Sequence, residues 1–269
     1  MTSADRLKGK TVIITGASSG IGRSTAMEFA RTSPKDLRLI LIARRIDKLN
    51  ELAVHITKQH GPGVKVLPIQ LDSSKPEDVR GFVTSLTQDW QHIDVLVNNA
   101  GLAKGIARSP DILEDDIRAM LDTNLTGLIN MTQAVLKVFL QRGKSGAGDI
   151  VNIGSIAGRE PYPGGSVYCA SKAAVRSYTD ALRKELISTR IRVIEIDPGQ
   201  VETVEFSTVR FGGDKSKADM VYEGCEPLTP QDIAEVVVFT VNRRENVVVA
   251  DTLIMPNHQA AATVLHKET

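Results

Sequence analysis

The residues with the clearest chemical potential are Tyr168 and Lys172, four apart in the string Tyr168-Cys169-Ala170-Ser171-Lys172. On a helix such residues share one face, about one turn apart. A tyrosine with an ordinary pKa near 10 is rarely ionised at neutral pH, but a nearby ammonium favours the phenolate. Two unit charges about 4 Å apart interact by roughly 4 kcal/mol at an effective dielectric of 20, before desolvation is subtracted. The pair predicts an acid–base residue, Tyr168, that takes a proton from an alcohol or gives one to a carbonyl.

A second signal follows the first apolar run, where a strand must turn into a helix. The string Thr15-Gly16-Ala17-Ser18-Ser19-Gly20-Ile21-Gly22 is followed by a helical pattern over 23–31. Glycines let the backbone approach a pyrophosphate closely, and the free amides and dipole of a helix start attract its charge. The alternative is a tight turn that binds nothing. Its position at the first strand-to-helix turn favours a dinucleotide, held by Gly16, Ser18, Ser19, Gly20, Ile21 and Gly22.

A basic pair, Arg44 and Arg45, ends the second apolar run, where a dinucleotide fold places the group that contacts the adenosine ribose. An acidic residue there would bind a 2′-hydroxyl. Two guanidinium groups instead suit a 2′-phosphate, which predicts NADP as the cofactor. The alternative is that both arginines are solvated charges at the start of the next helix, where a basic pair is unfavourable and Asp47 offsets its cost.

Short apolar runs alternate with helical patterns along the whole chain, which predicts a single doubly wound α/β domain of Rossmann type over residues 1–269. Its seven parallel strands, buried on both faces by helices, are expected at 11–14, 37–43, 64–70, 93–97, 149–153, 191–196 and 252–255. Crossover helices are expected within 46–56, 117–140, 167–187 and 233–241. The one long unpatterned piece, about 204–227, is predicted to be a functional or mobile substrate loop.

The composition excludes several classes of protein. With 42% hydrophobic and 24% charged residues, the 269-residue chain can bury a core and is not disordered. Its 33 basic and 32 acidic residues leave a net charge of +1, so no nucleic acid or anionic membrane is expected as a partner. No apolar stretch is long enough to span a membrane, and the N-terminal residues 1–10 lack a secretory pattern.

Cysteine and histidine usage bears on location and metal binding. Two cysteines, Cys169 and Cys225, are too few for a disulfide framework and fit a reducing compartment, so we expect a cytoplasmic protein. The five histidines are scattered without metal-ligand spacing, and no metal is expected.

Together these motifs resemble the short-chain dehydrogenase/reductase family over nearly the whole chain. The phosphate-loop spacing is TGxxxGxG rather than GxGxxG, and further motifs follow in order. They are Asn98-Asn99-Ala100-Gly101, Asn124-Leu125-Thr126-Gly127, Ser155, the Tyr168–Lys172 string, and Pro198-Gly199-Gln200-Val201-Glu202-Thr203. Six motifs that follow one another in the order found in this family are not expected by chance.

The resemblance implies roles that spacing alone does not assign. Ser155 would hold the substrate oxygen beside Tyr168, and Asn124 would hold a water against Lys172 as an outward proton path; otherwise Asn124 satisfies helix backbone. Asp72 would accept a bond from the adenine amino group, although it also suits a turn or helix cap. The cofactor cleft would further include Asn99, Ala100, Gly101, Tyr168, Lys172, Pro198, Gly199, Val201 and Thr203, with Val201 and Thr203 at the nicotinamide carboxamide.

A narrower resemblance points to the substrate. The strings Ile156-Ala157-Gly158-Arg159, Tyr162-Pro163, Leu182-Arg183-Lys184-Glu185-Leu186 and Val201-Glu202-Thr203 are similar to those of fungal and bacterial NADP-dependent 3-hydroxy acid dehydrogenases, also described as serine or allo-threonine dehydrogenases. This implies hydride transfer to and from a small 3-hydroxy acid such as L-serine or L-allo-threonine. The carboxylate of such a substrate needs a cation, and Arg159 or Arg210 could supply it unless both are surface charges.

Three alternatives to this function differ in what the site must contain. A serine hydrolase is disfavoured because Gly154-Ser155-Ile156-Ala157-Gly158 is not the GxSxG elbow. A broad NADPH-dependent carbonyl reductase would use the same catalytic residues on other substrates. An NADP-binding redox sensor would need the phosphate loop but not Tyr168 and Lys172 together.

The resemblance also implies a homotetramer built on the apolar faces of the helices that contain Asn124 and Tyr168, although those faces could equally pack within one chain.

Overall fold

A parallel sheet of seven strands forms the centre of the molecule. The computed structural model describes residues 6–268, and residues 1–5 and 269 of the predicted 1–269 domain lie outside that range. The sheet order is β3-β2-β1-β4-β5-β6-β7, with every pair parallel. The strands are β1 (Thr11–Thr15), β2 (Leu37–Ala43), β3 (Val64–Gln70), β4 (Val95–Asn98), β5 (Ala147–Ile153), β6 (Arg190–Pro198) and β7 (Asp251–Ile254).

Helices connect consecutive strands and cover both faces of the sheet. They are α1 (Gly20–Thr32), α2 (Ile46–His60), α3 (Pro76–Val79), α4 (Phe82–Ser85), α5 (Glu114–Leu121), α6 (Leu128–Leu140), α7 (Ser166–Glu185), α8 (Val204–Arg210), α9 (Lys215–Met220) and α10 (Pro230–Val241). A small antiparallel hairpin, β8 (Gln259–Ala261) and β9 (Val264–Leu265), follows the sheet. Within residues 6–268, none of the helices has the length and apolar content needed to cross a membrane.

The alternation of side chains along each strand divides the core into two clusters. Val12 and Ile14 of β1 pack with Phe29 of α1 and the apolar residues of α10 on one face. Ile13, between them, packs on the other face with Phe139 of α6 and residues of α7. Because apolar residues are buried on both sides, the strands are nearly continuous apolar runs. This is the doubly wound arrangement that the sequence predicts, and the fold class is confirmed.

Strand boundaries agree with the sequence to within a few residues. The bounds of β2 and β3 match the expectation at both ends. The strand expected from residue 93 begins at Val95 instead. Asp94, just before it, accepts the Thr11 N–H with its side chain at 2.8 Å. β6 extends to Pro198, further than expected.

Two predictions of secondary structure need correction. The helix expected over 117–140 is interrupted by a π-helical turn, Asp122–Gly127, which contains Asn124. The segment expected to be a loop over 204–227 contains two short helices, α8 and α9. Each is too short for its periodicity to stand out, and Gly212 and Gly213, both with positive φ, separate them. Asp214, whose side chain caps α9 by accepting the Lys217 N–H, was the available signal.

Candidate active site

One large cavity, of about 1000 Å³, lies at the carboxyl ends of the central strands. The strand order reverses between β1 and β4, and in open α/β sheets this switch point is where ligands bind. The cavity is lined by the residues after β1, β2, β4, β5 and β6 and by α8. The motifs that were separate in sequence therefore meet around one cavity.

The turn after β1 is held against the turn after β4 by Asn99. Its Nδ2 donates to the carbonyl oxygens of Thr15 at 2.9 Å and Gly16 at 3.3 Å. Gly16 has a φ of +66°, and a Cβ there would lie 2.9 Å from the Ala100 Cα; a Cβ at Gly22 would overlap Asn99 Nδ2. Gly16 and Gly22 are thus needed for the two turns to approach each other. Asn99 positions the turn after β1 against the turn after β4.

The amino end of α1 opens into the same cavity. α1 begins at Gly20, and its N-cap residue, Ser19, makes no side-chain capping bond. The first N–H groups of a helix have no partner inside the helix, and together with the dipole they favour a bound anion. Gly16, Ser18, Ser19, Gly20 and Ile21 all line the cavity. These residues fit the pyrophosphate of a dinucleotide.

Arg44 and Arg45 line the neighbouring part of the cavity, but Arg45 is already engaged. It forms an ion pair with Glu205 of α8 at 2.6 Å and donates to Ser18 Oγ at 2.9 Å and Ser19 Oγ at 3.3 Å. The hydrogen bonds that Arg45 donates to Glu205 raise the pKa of Arg45 and lower the pKa of Glu205. No local sequence pattern predicts this partner.

Asp72, the predicted adenine contact, also lines the cavity. Its Oδ1 accepts from the Ser74 N–H at 3.1 Å and from Ser74 Oγ at 2.7 Å, so it shapes the turn after β3 as well. The turn role and the adenine role are compatible, because a carboxylate has further acceptor positions.

Ser155 and Tyr168 face each other across the cavity. Ser155 is the N-cap of a single 3₁₀ turn, Ile156–Gly158, and its hydroxyl accepts the Ala157 N–H at 3.1 Å. The side chains of Ser155 and Tyr168 both line the cavity. The Phe206 ring lies edge-on to the Tyr168 ring, with centroids 5.9 Å apart. A substrate oxygen between the two hydroxyls would meet two hydrogen-bonding groups.

The cavity without cofactor opposes ionisation of Tyr168. Burial raises the pKa of Tyr168, and the neighbouring Ser155 hydroxyl opposes this effect without cancelling it. Lys172 Nζ donates to the Ile153 carbonyl oxygen at 2.8 Å and lies 6.0 Å from the Tyr168 ring centroid, and its effect on the Tyr168 pKa stays a prediction. Burial also lowers the pKa of Lys172 to about 8, opposed by Asp197 and Glu195.

Asn124 is buried, and its side chain is bonded to neighbouring backbone. Its Oδ1 accepts the Leu102 N–H at 2.8 Å, and its Nδ2 donates to the Leu102 carbonyl at 2.8 Å and to Ser171 Oγ at 3.0 Å. A Cβ on Gly101 would lie 3.3 Å from Asn124 Oδ1 and 3.5 Å from Lys172 Nζ. The two polar groups therefore approach the same point, beside Gly101.

The turn after β6 completes the cavity and is fastened by residues that the sequence analysis did not single out. Pro198, Gly199, Val201 and Thr203 all line the cavity. Tyr222 donates its hydroxyl to the Val201 carbonyl at 3.0 Å and lies 2.5 Å from Ser207 Oγ. Gln259 accepts the Gln200 N–H at 2.8 Å. These contacts connect segments far apart in sequence, and no local pattern reveals them.

The two candidate carboxylate ligands have different positions. Arg159 does not line the cavity; its Nε donates to Asp197 at 2.7 Å and its Nη2 is bonded to Asp251. Because two carboxylates already use this guanidinium, the prediction that Arg159 binds substrate does not fit the structure. Arg210 does line the cavity, with its guanidinium carbon 5.5 Å from the Tyr162 ring centroid. Its buried Nε has no hydrogen-bond partner among residues 6–268.

The nucleotide cleft, the hydroxyl pair and this fold together define a family of enzymes. A model of the short chain dehydrogenase family matches residues 10–210, and the chain belongs to that family. The NADP-dependent 3-hydroxy acid dehydrogenase of Schizosaccharomyces pombe is 53% identical over 263 residues, which cover 98% of each chain. Sulfoacetaldehyde reductase 2 of Chromohalobacter salexigens is 41% identical over 249 residues, covering 93% of this chain and 95% of that protein.

Solved structures agree with these relatives. The closed form of a serine dehydrogenase complexed with NADP⁺ has a TM-score of 0.85 and is 37% identical, covering 96% of this chain and all (100%) of that chain. A serine dehydrogenase from Escherichia coli has a TM-score of 0.76 and is 34% identical, covering 93% of this chain and 99% of that chain. The resemblance deduced from the motifs is confirmed.

Proposed function

We propose that this chain is an NADP-dependent oxidoreductase that interconverts the hydroxyl and carbonyl forms of a small 3-hydroxy acid, such as L-serine or L-allo-threonine. The observation that carries the proposal is the placing of Arg210 in the same cavity as the Ser155 and Tyr168 side chains. Two hydroxyls can hold the reacting oxygen, and a guanidinium can hold a carboxylate.

The cofactor would be held by the residues that surround the switch point of the sheet. The start of α1 and the hydroxyls of Ser18 and Ser19 would bind its phosphates, and Arg44 and Arg45 would bind the 2′-phosphate. Asp72 would contact the adenine, Asn99, Ala100 and Gly101 would line the cleft, and Pro198, Gly199, Val201 and Thr203 would surround the nicotinamide. Bound NADP would supply or accept the hydride, and its oxidised form would add positive charge to the cavity.

Tyr168 would carry the proton in each direction. In oxidation it takes the hydroxyl proton of the substrate, and in reduction it returns one to the carbonyl oxygen. Ser155 would hold that oxygen through its hydroxyl. Since burial keeps the phenol protonated in the chain alone, Tyr168 is ready to act as an acid, and its use as a base depends on positive charge nearby.

Lys172 and Asn124 would lead the proton outward. Asn124 Oδ1 has one acceptor position left after its bond to Leu102, and Lys172 Nζ has donors beyond its bond to Ile153. We propose a water between these two groups, in the space that Gly101 leaves by having no Cβ. Such a water would exchange a proton with Lys172 and replace the one that Tyr168 delivers.

The substrate assignment is supported by both charge and relatives. A 3-hydroxy acid dehydrogenase and a sulfoacetaldehyde reductase are both named for anionic substrates, and Arg210 would suit either a carboxylate or a sulfonate. A broad-specificity NADPH-dependent carbonyl reductase is the alternative if the cavity accepts neutral ketones equally. An NADP-binding redox sensor is disfavoured because the hydroxyl pair and Lys172 are assembled in full.

A substrate panel tests this proposal. L-Serine, L-allo-threonine, 3-hydroxypropionate, sulfoacetaldehyde and neutral ketones should be assayed with both nicotinamide cofactors. Arg210→Met should raise KM at least tenfold for the acids and leave KM for neutral carbonyls unchanged, because one charge-assisted contact contributes roughly 1.5–3 kcal/mol. Arg190→Met is the matched control, since Arg190 forms an exposed ion pair with Glu245 and lines neither the cavity nor the α5–α7 groove. Equal turnover of acids and neutral ketones would favour the carbonyl reductase.

We also propose a homotetramer. Exposed Leu113 and Leu121, and an apolar groove that includes Ile117 and Val167, lie along α5 and α7. Burying such a surface against another copy would remove it from water. Light scattering should give four times the chain mass of 29.2 kDa, and a monomer would contradict the proposal.

A cytoplasmic location stays a prediction from cysteine usage.

A further inference from the structure

The ion pair between Arg45 and Glu205 has the geometry of a ligand contact. Nη2 of Arg45 is 2.6 Å from Oε2 of Glu205, and Nη1 is 3.0 Å from Oε1, so the guanidinium binds the carboxylate at both oxygens. Arg45 also donates to the hydroxyls of Ser18 and Ser19. The two partners lie 160 residues apart, on β2's carboxyl end and on α8.

A carboxylate in this position occupies a site suited to a phosphate. A guanidinium binds carboxylate and phosphate through the same parallel pair of N–H groups. The hydrogen bond that Arg45 donates lowers the pKa of Glu205, so this carboxylate is ionised at neutral pH. Arg45, two serine hydroxyls and an anion therefore already form a complete anion site without any nucleotide.

We propose that Glu205 is an internal competitor for the 2′-phosphate and a determinant of cofactor preference. The 2′-phosphate of NADP would replace Glu205 on Arg45, exchanging one anion for another. The 2′-hydroxyl of NAD carries no charge to make that exchange, so the Arg45–Glu205 pair would stay closed when NAD binds. This inference rests on the assignment of Arg45 to the 2′-phosphate in the proposed function.

The consequence is a selective effect on NADP affinity. Glu205→Gln keeps the size of the side chain and removes the competing charge, which frees Arg45. Both side chains are about half exposed, at 44% and 51%, so the pair is of the weak solvent-exposed kind. We expect the Kd of NADP⁺ to fall about two- to fivefold and the Kd of NAD⁺ to stay unchanged.

The experiment is titration calorimetry of the full chain with NADP⁺ and with NAD⁺, without substrate. Glu245→Gln is the matched control, because Glu245 also pairs with an exposed arginine, Arg190, but lies outside the cavity. Tighter NADP⁺ binding by Glu205→Gln alone supports the exchange. Unchanged binding, or an equal change for both cofactors, overturns it; equal weakening would make the ion pair a clasp that closes over either nucleotide.

Two further variants separate this inference from the assignment on which it rests. Arg45→Gln should weaken NADP⁺ binding at least tenfold and spare NAD⁺, and failure of that result removes Arg45 from the 2′-phosphate site and the inference with it. In the double variant Arg45→Gln, Glu205→Gln, the gain from the glutamate change should disappear, because its partner is absent. If the gain persists in the double variant, Glu205 acts on the nucleotide by another route and the exchange is wrong.

Discussion

The backbone N–H of Ser155 donates a hydrogen bond to Oδ1 of Asp197 at 2.9 Å. Asp197 is fully buried at the end of β6, and its other oxygen accepts from Arg159 at 2.7 Å and Arg176 at 3.2 Å. Asp197 Oδ1 lies so close to the backbone of Gly154 that a Cβ on this glycine would overlap it. Asp197 thus holds the turn that presents the Ser155 hydroxyl to the cavity.

Replacing Asp197 tests this support. Asp197→Asn keeps one acceptor for the Ser155 N–H but removes the charge that Arg159 and Arg176 share. We expect kcat to fall about tenfold, since a small misplacement of a reacting group is costly, with little change in NADP⁺ affinity. The free energy of unfolding should fall by roughly 1.5–3 kcal/mol, the range for hydrogen bonds to charged groups. Unchanged kcat with lowered stability would make Asp197 merely structural.

Removing the Tyr168 hydroxyl tests the acid–base assignment. Tyr168→Phe should lower kcat by about 10²–10⁴-fold in both directions while NADP⁺ still binds, because only the proton carrier is lost. Tyr178→Phe is the control on the same helix, since Tyr178 packs against the hydrophobic core and does not line the cavity. Steady-state rates and a cofactor titration separate the two effects. Retained turnover in Tyr168→Phe would refute the mechanism.

Ionisation of Lys172 predicts the alkaline limit of carbonyl reduction. Burial lowers the pKa of Lys172 to about 8, so the ammonium is present below that pH and lost above it. Because the ammonium feeds the proton that Tyr168 delivers, the rate of reduction should fall as the pH rises through about 8. The measurement is kcat of carbonyl reduction against pH from 6 to 10. Samples held at each pH are returned to pH 7 to check that the enzyme and the substrate are still intact. A flat profile to pH 10 would contradict this role.

Glu195 predicts how stability changes with pH. It is buried, and burial followed by the charge of Asp197 raises its pKa from 4.5 to about 8. Between those values the unfolded chain has released the proton and the folded chain keeps it, so stability falls as the pH rises through that window. Up to about 1.4 kcal/mol would be lost for each pH unit.

Glu195→Gln removes that ionisation. The variant should gain stability relative to the parent as the pH rises from 5.5 to 8.5, measured by urea unfolding at each pH. Glu245→Gln should show no such gain, because its hydrogen bond with Arg190 lowers the pKa of Glu245 instead. A constant difference between Glu195→Gln and the parent at all pH values would show that Glu195 does not hold a proton.

Local pattern was enough for the sheet, the phosphate turn and the spacing of Tyr168 and Lys172. Strand periodicity, glycines at a strand-to-helix turn and a four-residue helical repeat are properties of neighbouring residues, and they are readable without a fold. The short helix α8 and the π-helical turn around Asn124 were not predicted, because they span only seven and six residues.

Only the tertiary structure decided how the charged side chains pair. Arg159 and Arg210 are equivalent as sequence, yet one is bound by Asp197 and Asp251 and the other faces the cavity. Likewise Arg45 meets Glu205 across 160 residues of chain. Whether a charge is free, paired or buried depends on what the folded chain brings near it, and that determines both its pKa and the ligand it can bind.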